Sequence, residues 1–254
     1  MRLPSYGLAV ACGYLAALLY INAKARTFCF DREKLHDLFF WTIIAGMAGA
    51  KVFYAAAFWD TFGATFAAKA VYLLKTFQYG FVFYGGLIFG AAAFCVKARA
   101  DGLDLLRTAD LCAPALALGQ AFGRLGCFLA GCCHGRVTDS VFGVTFTNAA
   151  CEINPALLNV KIHPSQLYEA AGDLAIFFIL NTMLSKGGRG ALAGRVAAAY
   201  ALAYPALRFA AEFTRGDDRG GFILGLSPAQ FISLLIFAAA ALAAALFKAR
   251  SHGK

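Results

Sequence analysis

Charge is what this sequence has least of. Of its 254 residues only 15% are Asp, Glu, Lys or Arg, and the acidic ones number 14. A soluble chain of this length keeps its apolar residues in patterned faces with polar ones between them, and a 61% hydrophobic composition without such patterning excludes that class. Three further absences narrow the field. No internal repeat is visible, which speaks against a transporter built from inverted halves. None of the eight cysteines forms the C-x-x-C pair that thiol oxidoreductases normally use. The first apolar run follows a single arginine, Arg2, and no small-residue cleavage site ends it, so it reads as an uncleaved helix and not as a removable signal.

What is present is seven long apolar blocks, at about 4–23, 38–59, 80–97, 108–132, 164–184, 191–213 and 226–247. Each is long enough to cross about 30 Å of hydrocarbon as a helix, and helices satisfy their own backbone hydrogen bonds in lipid. The expected fold is all-α: one polytopic membrane domain, 1–254, with seven transmembrane helices. Two loops carry structure of their own. Residues 60–79 place Phe62, Phe66, Leu73 and Phe77 among Lys69, Lys75 and Gln78, as an interfacial helix would. Residues 136–162 hold a β-prone run, Val141–Thr147, and read as a small extracytoplasmic cap.

The net charge of +9 points to a bilayer and not to nucleic acid. Thirteen of the 23 basic residues fall in the loops after the first, third and fifth blocks and in the tail, and seven fall on the opposite side. That bias puts the N-terminus outside and the C-terminus in the cytoplasm. The remaining three, Lys51, Arg124 and Arg208, lie inside apolar blocks, where an ionisable residue is costly and marks a site, a pathway or a buried pair.

Four stretches surround these residues. The first is GRLGCFLAGCCHG, 123–135. Read as a continuous helix, it puts Arg124, Cys127 and Gly131 on one face with Gly135 beneath them. Cys127 and Cys132 stand about 140° apart and Cys133 points away from Arg124. One metal ion could not then take all three thiols unless the helix broke at Gly131, so no metal is expected. The second, HPSQLYE at 163–169, starts a helix at Pro164 and sends Gln166, Glu169 and Asp173 along it as a polar stripe. That stripe is either a structural ladder between helices or, at Glu169, a functional group. In the third, RFAAEFTR, helical spacing puts Arg208, Glu212 and Arg215 on one face, as a buried ion network or as guanidinium groups oriented toward an anion. The fourth, Tyr84-Gly85-Gly86-Leu87, would let a backbone or a lipid approach closely. On this topology the stretches cluster on the outer side. Two buried arginines need an anionic partner, supplied by acidic side chains or by a phospholipid phosphate.

Taken in order, these motifs, together with Tyr6-Gly7-Leu8 and Gly49-Ala50-Lys51, resemble the prolipoprotein diacylglyceryl transferases over nearly the whole chain. The resemblance implies seven membrane helices, an outer cap and residence in the bacterial cytoplasmic (inner) membrane. It implies transfer of the diacylglyceryl group of phosphatidylglycerol to the lipobox cysteine of a prolipoprotein signal peptide, with release of glycerol phosphate and no cofactor. It casts Arg124 and Arg208 as the essential arginines, Glu212 as partner of Arg208, Gly135 as the glycine closing the signature and Tyr6 as the first-helix tyrosine. Lys51, Gly85, Gly86, Cys127, Gln166 and Glu169 are the further substrate-binding positions. Three departures stand out: Tyr84 where much of the family has histidine, Lys51 for an arginine, and Cys127 and Cys132 where Asn and Glu are frequent.

The chemistry suits these residues. A substrate thiol, with an ordinary pKa near 8.5, attacks an sp³ glycerol carbon, and charge builds on a departing phosphate monoester that paired arginines would stabilise. Tyr84 suits a hydrogen bond to the lipid phosphate better than a base's role. His163, His134 or the arginines' field alone could supply the thiolate. The alternatives are a paralogue acting on another lipid or thiol acceptor, and a membrane thiol oxidoreductase using Cys127, Cys132 and Cys133.

Overall fold

The computed structural model describes residues 5–76, 80–187, 194–217, 221 and 224–252. Among them are eight α-helices: α1 (Ser5–Phe28), α2 (Arg32–Ala57), α3 (Phe66–Lys75), α4 (Phe83–Ala100), α5 (Leu105–Ala130), α6 (Ser165–Gly187), α7 (Arg195–Glu212) and α8 (Pro228–His252). A two-stranded antiparallel ribbon, β1 (Val144–Thr145) with β2 (Lys161–Ile162), is the sheet in the described residues. Each apolar block of the sequence carries one long helix, so the all-α expectation holds. Among the described residues α1, α2, α5 and α6 are long and apolar enough to cross a membrane. Their outward faces carry large apolar side chains, such as Leu19 at 60% exposure and Phe178 at 61%, a surface that lipid covers and water would not. The chain is a multi-pass membrane protein.

Residues 29–108 form one compact unit, and residues up to 28 together with those from 109 on form another. In the first unit, Asp31 caps α2 by accepting from the backbone N–H groups of Glu33 at 3.0 Å and Lys34 at 3.4 Å. Helices α2 and α4 meet backbone to backbone. A Cβ on Gly49 would run into the Phe89 side chain and the Gly85 carbonyl, and one on Gly85 into the Gly49 carbonyl. The described part of the 60–79 stretch is not one continuous helix. Trp59–Phe62 form a 3₁₀ turn, Gly63 takes φ 131°, and Phe66–Lys75 is α-helical. Phe62 is buried there, stacked on Tyr72 with ring centroids 4.8 Å apart. Phe77 and Gln78 of that arm lie outside the described residues, as do Arg2, Arg189, Arg219 and Lys254 of the charge bias.

In the second unit, Asp110 of α5 holds the start of α7, accepting from the N–H groups of Gly194 and Ala197 at 2.8 Å each. This is a helix cap supplied by another helix, and it stands in for the side chain that Gly194 lacks. The 136–162 stretch is less regular than its β-prone run Val141–Thr147 suggests. Only Val144 and Thr145 pair, with Ile162 and Lys161, while Val141 and Phe142 are exposed.

The close approach of α2 to α4 generates a stability prediction. Gly49→Leu forces the two backbones apart and should cost about 1–3 kcal/mol, as overpacking does. Thermal unfolding of the purified protein in detergent checks it, and an unchanged midpoint would contradict the packing.

Candidate functional site

The site begins as main chain. Helix α5 stops at Ala130, and residues 134–138 run on as an extended segment between two others. On one side Gly135 N–H donates to His163 O at 3.0 Å, His163 N–H to Arg136 O at 2.9 Å and Thr138 N–H to Lys161 O at 3.0 Å. On the other, Arg136 N–H donates to Thr214 O at 3.0 Å and Gly216 N–H to His134 O at 3.2 Å. The end of the Cys-rich signature, the start of HPSQLYE and the end of RFAAEFTR are therefore stitched into one three-segment ribbon. Gly135 lies at its centre, where a Cβ would strike the His163 carbonyl and Ser165 Oγ. Its role is to let this backbone close.

Side chains then converge on Glu169, in the second turn of α6 and almost fully buried. Its Oε2 lies 2.7 Å from Arg124 Nη2, and its Oε1 accepts from Arg215 Nη1 at 2.8 Å, with Arg208 Nη1 at 3.9 Å. Arg208 Nη1 also lies 2.7 Å from Glu212 Oε2, and Arg215 makes a two-pronged pair with Asp217 at 3.0 and 3.1 Å. Three arginines thus face three carboxylates, far enough from water that each charge requires its partner. The reading of Arg215 as a third residue on the Arg208–Glu212 helical face is corrected. Helix α7 ends at Glu212, Arg215 N–H closes a tight turn onto Glu212 O at 3.1 Å, and the guanidinium reaches α6. The arginines differ in access: the Arg124 side chain is 21% exposed and that of Arg215 2%.

The cysteine stretch also departs from its continuous-helix reading. Gly131 takes φ 79° and ends α5, and Cys133 takes φ 57°, a left-handed conformation uncommon for a residue with a side chain. Outside bonds enforce the break: Glu152 N–H donates to Ala130 O at 2.8 Å and Gln166 Nε2 to Cys132 O at 2.6 Å. The sulfurs of Cys127, Cys132 and Cys133, which a straight helix would splay, lie within 4.8 Å of one another. Hydrogen bonds from the Cys127 and Cys132 thiols, and Arg215 beyond them, hold the Cys133 thiol below its ordinary pKa. The spacing argument that excluded a metal here therefore does not apply to the folded chain.

The other expected site residues fall into two groups. Tyr6, His163 and Gln166 belong to the unit that holds the arginines. Tyr6 packs its ring and carbonyl against Gly126 of α5, and His163 Nδ1 is 3.2 Å from the Tyr168 hydroxyl. Gln166 positions the cysteine turn through the bond to Cys132 O. Tyr84, Gly85, Gly86 and Lys51 belong to the other unit. There Gly85 and Gly86 lie against the α2 backbone, which accounts for both as packing residues, and Tyr84 is 36% exposed. Lys51 Nζ donates to Thr76 O at 2.9 Å and lies 5.3 Å from the centre of the Tyr54 ring. Sequence reasoning missed Arg215 as a partner of Glu169, and missed Asp217. An arginine and an aspartate within the TRGDD turn were the available signal.

A family model described as prolipoprotein diacylglyceryl transferase matches residues 1–246. A phosphatidylglycerol–prolipoprotein diacylglyceryl transferase of Clostridium tetani is 34% identical over 234 residues, covering 92% of this chain and 89% of that protein. A Clostridium perfringens protein named as a second such transferase is 34% identical over 236 residues, covering 93% and 88%. One from Caulobacter vibrioides is 35% identical over 222 residues, covering 83% and 73%.

The shared carboxylate generates the prediction for this site. Glu169→Gln strands Arg124 and Arg215 without their common counter-charge and should cost about 3–5 kcal/mol of stability, as breaking a buried pair does. Glu212→Gln, which unpairs one arginine, should cost less. Unfolding of both variants side by side checks the order, and equal losses would contradict the central place of Glu169.

Proposed function

Because the chain belongs to the prolipoprotein diacylglyceryl transferase family, we propose that the Arg124–Glu169–Arg208 cluster is where its phosphatidylglycerol donor is held and cleaved. The activity is that of a phosphatidylglycerol–prolipoprotein diacylglyceryl transferase acting in lipoprotein maturation. The observation that carries the assignment of the site is the pair of arginines oriented by buried carboxylates, with Arg124 open to a ligand. Glu169 uses one edge of the Arg124 guanidinium, and the remaining N–H donors suit a phosphate. As the C–O bond to phosphate breaks, charge grows on the leaving glycerol phosphate, and donors fixed in advance stabilise it without reorganising. The acceptor is the lipobox cysteine thiol at the end of a prolipoprotein signal peptide. Its sulfur attacks the glycerol carbon, and the thiol proton leaves to a base or to solvent.

The remaining assignments complete the proposal. All seven long helices cross the bilayer, with α3 at the interface and residues 136–162 as an outer cap. The basic bias places the N-terminus outside the cytoplasmic membrane and the C-terminus in the cytoplasm. Tyr6 is assigned to the substrate, Gln166 supports the site through the cysteine turn, and Tyr84 and Lys51, on their own unit, keep their assignments to the lipid. His163, its Nδ1 beside Tyr168, is the imidazole placed to take a proton.

Two experiments test this. With a lipobox peptide, phosphatidylglycerol vesicles and mass spectrometry, Arg124→Ala and Arg208→Ala should each lower transfer at least a thousandfold, about 4 kcal/mol. Arg→Lys should rescue poorly because the planar fork is lost, and Tyr84→Phe should cost about tenfold. Wild-type yield from Arg124→Ala would end the phosphate assignment. Separately, a C-terminal reporter that works only in the cytoplasm should be active, and one active only outside would reverse the topology.

A further inference from the structure

The turn after α5 holds a cluster that neither the arginine network nor the lipid chemistry uses. Cys127 projects from the last turn of the helix, Cys132 follows the break at Gly131, and Cys133 is held at φ 57°. A left-handed, side-chain-bearing residue costs roughly 1–2 kcal/mol and persists only where its surroundings impose it. Here they do, through the bonds to Ala130 O and Cys132 O, and the result is three sulfurs within 4.8 Å of one another. All three residues are half-buried.

We propose that Cys127, Cys132 and Cys133 bind one zinc ion and leave its fourth position open to the thiol that is to be lipidated. Zn–S bonds of about 2.3 Å put tetrahedral ligands roughly 3.8 Å apart, so the sulfurs need to close by about 1 Å at most. Thiolates select soft ions over Mg²⁺ or Ca²⁺. Three protein ligands with an open place is the arrangement of a reactive zinc site, whereas structural sites are closed by a fourth ligand. The neighbours that could close this one do not join the cluster. His134 Nδ1 lies 3.0 Å from Gly135 O, and the Cys151 thiol lies beside Gly131 but outside the group of clustered sulfurs. A divalent cation with three thiolates carries a net charge of −1, which the positive charge of Arg215, acting on Cys133 but shared with Glu169 and Asp217, offsets in part. Arg215 also reaches Glu169 and, through it, Arg124, so the cluster adjoins the phosphate-binding arginines.

The inference rests on the transferase reading for its reacting thiol. That thiol binds the ion as thiolate and releases its proton to His163 or to solvent. The sulfur lone pair forms the C–S bond to the glycerol CH₂ while the C–O bond to phosphate breaks, and that electron pair leaves on glycerol phosphate. The product thioether is a weaker ligand than a thiolate and departs. Nothing is oxidised or reduced.

The test uses the full chain, purified under reductant and loaded with zinc or cobalt(II). Wild type and Cys95→Ala should hold one metal ion per chain by elemental mass spectrometry, with sulfur-to-cobalt charge-transfer absorption. Cys127→Ser, Cys132→Ser and Cys133→Ser should lose both signals. Adding a lipobox peptide should shift the cobalt spectrum, and a peptide with serine for cysteine should not. Chelation of wild type, which needs no variant to fold, should lower transfer at least tenfold, and zinc should restore it. A wild type that takes up no metal, or transfers equally after chelation, overturns the proposal while leaving the transferase reading intact. A bound metal whose spectrum ignores the peptide overturns the open position. A metal-loaded protein that transfers nothing to the peptide counts against the transferase reading, and the metal content still decides the site.

Discussion

One carboxylate holds this site together. Glu169 is nearly sealed from water, and each of its oxygens meets a different guanidinium, Arg124 at 2.7 Å from α5 and Arg215 at 2.8 Å from the turn after α7. Burying any one of these charges alone would cost several kcal/mol, so the three elements are driven to the geometry in which the charges meet. Arg208 is drawn in from α7 at 3.9 Å and takes Glu212 as its nearer partner. In a chain with only 14 acidic residues, three of them opposite three arginines in one place is a concentration that hydrophobic packing would not produce.

The main chain makes that convergence possible. The ribbon through 134–138 ties together segments about 30 and 80 residues apart in sequence, and it leaves no room for a side chain at Gly135. Ser165 adds a side-chain rung, its Oγ 3.1 Å from Thr214 O. With the ribbon fixed, α6 leaves it one turn before Glu169 and α7 reaches it one turn after Arg208. The backbone hydrogen bonds therefore hold the carboxylate and the guanidinium groups within reach of one another.

Much of this was legible in the sequence, for reasons that differ by residue. The helices were, because hydropathy over twenty residues is a sum that single positions cannot hide. Arg124, Arg208 and Glu169 were, because a charge in an apolar run has few tolerable explanations. The end of α5 was not. Gly131 alone is compatible with a continuing helix, and the bonds that terminate it come from Glu152 and Gln166, which no local pattern connects to it. The reach of Arg215 to Glu169 spans 46 positions, and the Asp110 cap on α7 spans 84 and 87. Helical spacing assigned Arg215 to the Arg208 face because it assumes the helix goes on, and α7 stops three residues too soon. Only the backbone decides such cases.

The balance of charge finally separates the roles of three similar residues. With Glu169, Glu212 and Asp217 against Arg124, Arg208 and Arg215, the cluster has no surplus cation to attract an anion by field alone. Any selectivity for phosphate must come from donor geometry, which is why the accessible residue matters. Arg215 gives hydrogen bonds to Glu169 and Asp217 and is 2% exposed, so it acts as a strut that sets the carboxylate's position. Arg124, a fifth exposed, meets Glu169 through Nη2 and is the more accessible of the two. A lysine there could satisfy Glu169 or a phosphate oxygen in turn, but a point charge cannot present a fixed fork to both at once. In the proposed transferase site, then, the part given to the buried carboxylate is indirect: it orients the Arg124 guanidinium, which is assigned to the phosphate.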